Sequence, residues 1–119
     1  MKKKILVVES DEDICQIISY ILSEEGYDTI LCKTETGIFD IIHTNKPDVI
    51  LLDVVKPTEQ GTELCRAIKA AETTRHIPVV VLSTHAKAEE VKNLCADEVV
   101  KKPFDISALV NIVKEQLAV

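Results

Sequence analysis

Aromatic residues are nearly missing from this 119-residue chain, which holds two tyrosines, two phenylalanines and no tryptophan. Its core must therefore be built from Ile, Val, Leu and Ala, and modules that stack nucleic-acid bases on aromatic rings are excluded. An excess of positive charge is missing too. The net charge is −6, and beyond Lys2-Lys3-Lys4 no basic stretch stands out, which argues against direct contact with nucleic acid. No apolar run approaches the roughly 20 residues that cross a bilayer. At the start of the chain Ile5-Leu6-Val7-Val8 is cut short by Glu9 and Asp11, so it reads as a first strand and not as a signal peptide. Glycine is scarce: three residues, all isolated, leave no loop of the kind that cradles nucleotide phosphates. The four cysteines (Cys15, Cys32, Cys65, Cys95) show neither C-x-x-C nor zinc-finger spacing, and each sits in an apolar segment. The expectation is buried free thiols in a reducing cytoplasm, with no disulfide framework and no metal site.

What is present is a regular alternation of two segment types. Short continuous apolar runs, as in a strand buried on both faces, occur at Ile5-Leu6-Val7-Val8, Val49-Ile50-Leu51-Leu52 and Val79-Val80-Val81-Leu82. Asp28 to Cys32 reads as a further strand, and Val99-Val100 begins a fifth that ends at Pro103. The Val49 run is the most apolar and is placed at the centre. Between these runs the apolar period is helical. Ile14, Ile17, Ile18, Ile21 and Leu22 form one stripe that stops at Gly26, and Ile38, Ile41 and Ile42 mark a helix ending before Pro47. Leu64 and Ile68 lie on a third helix at 63–71, residues 86–94 form a short polar helix candidate, and Asp105 caps a last helix through Leu109, Val113 and Leu117. Strands joined in series by helices are parallel with right-handed crossovers. The expected architecture is a doubly wound α/β fold, a five-stranded parallel sheet with helices on both faces.

In such sheets, sites form beyond the carboxyl ends of the strands, where strand order reverses. Glu9-Ser10-Asp11 follow the first strand, Asp53 ends the third, Ser83-Thr84 end the fourth and Lys101-Lys102-Pro103 end the fifth. An acidic cluster, an isolated aspartate, a hydroxyl and a lysine thus gather on one edge. These segments, in this order, resemble the receiver domains of response regulators, the phosphoacceptor modules of two-component signalling. The resemblance is carried by ILVVE at 5–9, DVILLD at 48–53 with Pro57 and Gly61, PVVVLS at 78–83, and Lys102-Pro103-Phe104.

The resemblance covers essentially the whole chain. It implies one receiver domain over residues 1–119, with the flavodoxin-like strand order 2-1-3-4-5. By it, Asp53 accepts a phosphoryl group from a phosphohistidine of a sensor histidine kinase or phosphotransfer protein. Ser83 bonds a phosphoryl oxygen, and Lys102 pairs with the phosphoryl group. Glu9, Asp53 and the backbone carbonyl of Val55 match ligands of Mg²⁺. The implied output is a downstream domain or protein whose binding the phosphoryl group switches, in a cytoplasmic module that is not an enzyme on any separate substrate. The physics agrees, since phosphoryl transfer needs positioning and charge neutralisation more than covalent help, and a carboxylate can form an acyl phosphate.

Three positions depart from the family pattern. Ser10 stands where a second metal-binding acid is usual, which removes a negative charge and a hard oxygen ligand and weakens Mg²⁺ binding. Ser10 or Asp11 is the open fourth metal position, and Ser10, with Asp13 three residues on, also reads as the N-cap of the first helix. The stretch between Ser83 and Lys102 is short of the usual spacing by about one helical turn, so the fourth helix is shortened. Val99 replaces an aromatic residue whose rotation reports phosphorylation, and a branched valine cannot make that swing. Lys56 and His85 lie near the same edge, as a further charge beside Asp53 and as a rim residue. The alternative to a working phosphoacceptor is a pseudo-receiver, the same fold kept as a phosphorylation-independent interaction module. A haloacid-dehalogenase-type phosphatase is disfavoured because the position two residues after Asp53 holds Val55 and not a second aspartate.

Overall fold

Three of the five strands form where branched and leucine side chains run without a polar break, because such a run can be buried on both sides of a sheet. The computed structural model describes residues 2–53, 62–83, 92 and 95–118. Its strands are β1 (Lys4–Val8), β2 (Asp28–Cys32), β3 (Val49–Asp53), β4 (Val79–Ser83) and β5 (Glu98–Lys101). Helices α1 (Glu12–Glu24), α2 (Ile38–Asn45) and α3 (Glu63–Ala70) lie between successive strands, and α4 (Ile106–Leu117) follows β5. Every pairing is parallel, in the order β2-β1-β3-β4-β5. This is the expected flavodoxin-like sheet, with the Val49 run at its centre. The helix candidate at 86–94 lies outside the described residues except for Lys92.

The pleat sorts the residues of β1, β3, β4 and β5 into two cores. Leu6, Val8, Ile50, Leu52, Val79, Val81 and Val99 pack with Ile38 and Ile42 of α2 and Cys65 and Ile68 of α3. Ile5, Val7, Val49, Leu51, Val80, Leu82 and Val100 pack with Ile18 and Leu22 of α1 and Leu109 and Val113 of α4. Two aspartates fix the amino-terminal edge of the sheet. Asp48 accepts from the backbone N–H of Lys4 at 2.8 Å, and Asp97 accepts from that of Val79 at 2.8 Å. Each carboxylate thus supplies the first rung of a ladder between neighbouring strands. Gly26, at φ 88°, turns the chain out of α1 in a conformation that an L side chain resists.

Three expectations are corrected. The N-cap of α1 is Asp11, not Ser10: Asp11 has extended backbone and its carboxylate accepts from the N–H groups of Asp13 and Ile14. Ser10 lies one residue too early to reach them. Ile17 is 52 % exposed, because the apolar stripe of α1 is wider than the face the sheet covers. Finally, Cys65 and Cys95 are joined in a disulfide with their Cα atoms 5.9 Å apart. Both belong to the α2/α3 core, and that separation falls within the range a disulfide spans. Cys15 and Cys32 are free. No helix among the described residues is long and apolar enough to cross a membrane.

Candidate functional site

The carboxyl edge of the sheet brings three charged side chains together. Glu9 directly follows β1 and is 2 % exposed, Asp53 ends β3, and Lys102 directly follows β5. The Lys102 ammonium donates to Glu9 Oε2 at 2.6 Å and to Asp53 Oδ1 at 3.0 Å. One lysine therefore bridges two carboxylates that reach it from different strands, and the trio carries one net negative charge. Burial pulls the Lys102 ammonium toward its neutral form. The hydrogen bonds from Glu9 and Asp53, with their charges, outweigh that penalty and hold its pKa above the usual lysine value.

The surrounding backbone places this trio. Glu9 donates its N–H to the carbonyl of Cys32 at 3.0 Å, which carries the β1–β2 ladder one residue past β1. Glu9 Oε1 accepts from the N–H of Asp11 at 3.2 Å, so both of its carboxylate oxygens are engaged. Lys102 donates its N–H to the carbonyl of Ser83 at 2.8 Å, and the Lys102–Pro103 peptide is cis. Ser83 is buried at the end of β4, one residue beyond Leu82, the cross-strand partner of Asp53.

The remaining expected residues fall as follows. Ser10 is exposed beside Glu9, and Asp11 is exposed with its Oδ1 occupied in capping α1. Val55, Lys56 and His85 lie outside the described residues. Val99 is buried in β5. Sequence reading missed Cys15, whose thiol donates to the Glu9 carbonyl at 3.2 Å from beneath the site. Burial foremost, and then the Glu9 charge, push that thiol's pKa up. Its signal in the sequence was faint: a small apolar residue one turn into the helix that follows Glu9.

The family model for the response regulator receiver domain matches residues 5–114. The chain belongs to that family. Among solved receiver structures it is similar to the signal receiver domain of a histidine kinase from Syntrophus aciditrophicus, with 29% identity over 98% of this chain and 90% of that one and a TM-score of 0.85. The receiver domain of Francisella response regulator 1452 shares 28% identity over 98% of each chain, with a TM-score of 0.84. Vibrio cholerae chemotaxis protein CheY4 shares 25% identity over 98% of this chain and 100% of that one, with a TM-score of 0.84. Receiver domains are phosphoacceptors of two-component systems and in general not enzymes.

Receiver domains typically bind Mg²⁺. Among the described residues no three His, Cys, Asp or Glu side chains converge on one point. Mg²⁺ is commonly held by only one or two protein carboxylates, with water and phosphate oxygens completing its octahedron. Among the described residues Glu9 and Asp53 meet that minimum, and Lys102 already neutralises part of their charge. The residues fit a weakly held ion.

Proposed function

We propose that this receiver domain, spanning residues 1–119, accepts a phosphoryl group on Asp53 from the phosphohistidine of a partner kinase or phosphotransfer protein in the cytoplasm. The observation that carries this reading is the Lys102 ammonium, 3.0 Å from Asp53 Oδ1 and anchored on Glu9. An Asp53 oxygen attacks phosphorus, the P–N bond to the histidine breaks, and the imidazole nitrogen leaves with the electron pair. Lys102 is preplaced to neutralise the charge that Asp53 gains, and Ser83 is the neighbouring hydroxyl that donates to a phosphoryl oxygen. When bound, Mg²⁺ would be held by Glu9, Asp53 and the carbonyl that the family resemblance assigns to Val55, and would supply further positive charge. Docking of the partner beside this edge is supported by Ile17, Tyr20 and Ile106, which are 52%, 69% and 57% exposed on α1 and α4.

The experiment is intact mass after incubation with acetyl phosphate and Mg²⁺, beside Asp53→Asn and metal-free controls. One phosphoryl adduct that needs both Asp53 and Mg²⁺ supports the proposal. The pseudo-receiver reading has one observation in its favour: Ser10 leaves the site with two carboxylates, both already paired with Lys102. A folded sample that takes up no phosphoryl group at high Mg²⁺ establishes that reading instead, and the chain then acts as an interaction module.

A further inference from the structure

We propose that Cys65 and Cys95 form a thiol–disulfide exchange site, opened by a low-molecular-weight thiol such as glutathione, that clamps α3 to the chain leading into β5. The proposal is independent of phosphorylation at Asp53. Cys65 lies in the first turn of α3 and is fully buried, whereas Cys95 is only partly buried and lies three residues before β5. The two residues are therefore unequal in exposure. An external thiolate reaches Cys95, and the departing sulfur is Cys65, in the first helical turn where backbone N–H groups favour negative charge.

A thiolate attacks Cys95 Sγ, and the Cys95–Cys65 bond breaks. Cys65 Sγ leaves with the electron pair and takes a proton from solvent. A second thiolate then attacks the outer sulfur of the mixed disulfide on Cys95, which releases Cys95 as a thiol after protonation and forms the small-molecule disulfide. Two thiols are oxidised and the protein pair is reduced. The oxidised small molecule reverses both steps.

A second clasp lies beside the first and keeps the reduced protein folded. Lys69, one turn along α3 from Cys65, donates to Asp97 Oδ2 at 2.9 Å and to the Ile77 carbonyl at 3.0 Å. Asp97 lies two residues after Cys95 and also holds the first N–H of β4. Opening the disulfide thus removes the covalent hook and leaves the ionic one. The closed loop has a sequence separation of 30 and contains β4 with Ser83, so the bond restrains the strand next to Asp53. Cys15 and Cys32 are free and lie outside this link, and burial pushes the pKa of both thiols up.

The test is a series of glutathione redox buffers applied to the native protein, quenched with acid and alkylated with N-ethylmaleimide in denaturant, with thiols counted by intact mass. Two alkylated thiols are expected at the oxidising end and four at the reducing end, joined by one reversible transition, with peptide mapping placing the link at Cys65–Cys95. The Cys15→Ser/Cys32→Ser variant is expected to go from none to two. Full reduction is expected to lower Tm by roughly 10 °C, the scale for opening a loop of this length. A count of four throughout, a count of two throughout, or a link to Cys15 or Cys32 overturns the proposal. The wild-type series decides even if the double variant does not fold.

Discussion

The ammonium of Lys102 lies 2.6 Å from Glu9 Oε2, an ion pair made across 93 residues of sequence with side chains 10% and 2% exposed. Neither partner can be solvated in place of the other. A buried pair adds little net stability over an apolar replacement, but removing one partner strands the other. Here one cation serves two carboxylates, so its removal takes the counter-charge from both.

Lys102→Met is therefore expected to cost about 3 kcal/mol in urea unfolding at pH 7, followed by far-UV circular dichroism. Adding Glu9→Gln to that variant removes one stranded charge and is expected to restore about half of the loss. The double-mutant cycle then reports strong coupling between positions 9 and 102. A Lys102→Met protein within about 0.5 kcal/mol of wild type would show that the carboxylates find water or another partner.

The same pair sets an alkaline limit. Burial opposes the charged form of Lys102, but the hydrogen bonds and charges of Glu9 and Asp53 win, and its pKa rises from the ordinary 10.5. A lysine that binds its proton more tightly when folded stabilises the protein fully below 10.5. That contribution falls as pH climbs through the raised, folded value. Urea unfolding in chelator-containing buffer from about pH 9 to 12 is expected to show wild-type stability falling more steeply than that of Lys102→Met. Lys114, raised by Glu25, is present in both proteins and cancels in the difference. Parallel curves would count against the bridge.

The end of helix α1 separates two neighbouring residues with similar chemistry. Asp11 accepts from the N–H of Asp13 at 2.9 Å and of Ile14 at 3.2 Å, while Ser10 makes neither contact. Asp11→Ala is expected to destabilise by about 1 kcal/mol, the usual worth of an N-cap, and Ser10→Ala by less than about 0.5 kcal/mol. Equal losses in thermal or urea unfolding would return the cap to Ser10.

That boundary illustrates which features the sequence carried. The strands were legible because Ile5 to Val8, Val49 to Leu52 and Val79 to Leu82 are buried on both faces and so tolerate no polar break. Asp53 and Lys102 were legible because polar groups ending such runs must lie on one edge of a parallel sheet. The cap was ambiguous because Ser10 and Asp11 both suit it, and backbone conformation decides between them. The Cys65–Cys95 bond was not legible at all. Its partners sit on different elements, and only the packing of α3 against the chain before β5 makes them neighbours. Ile17 misled for a related reason, since periodicity reports an apolar stripe but not how much of it the sheet covers.

The last prediction concerns Ser10 and rests on the proposed metal site. A carboxylate at this position adds one negative charge beside Glu9. At about 4 Å in water-like surroundings it attracts a divalent ion by about 2 kcal/mol, or roughly 30-fold in affinity. Asp11 is oriented elsewhere, with its Oδ1 accepting from two N–H groups at the helix terminus. Ser10→Asp is therefore expected to tighten Mg²⁺ binding by one to two orders of magnitude, measured by titration calorimetry or by amide shifts of residues near Glu9 and Asp53. The acetyl phosphate reaction is expected to reach half-maximal rate at correspondingly lower Mg²⁺. Asp53→Asn in the same background is expected to weaken binding again, since it removes one of the ligands. If Ser10→Asp binds Mg²⁺ no better than wild type, the ion does not sit beside Glu9, and the departure at Ser10 has no bearing on phosphorylation.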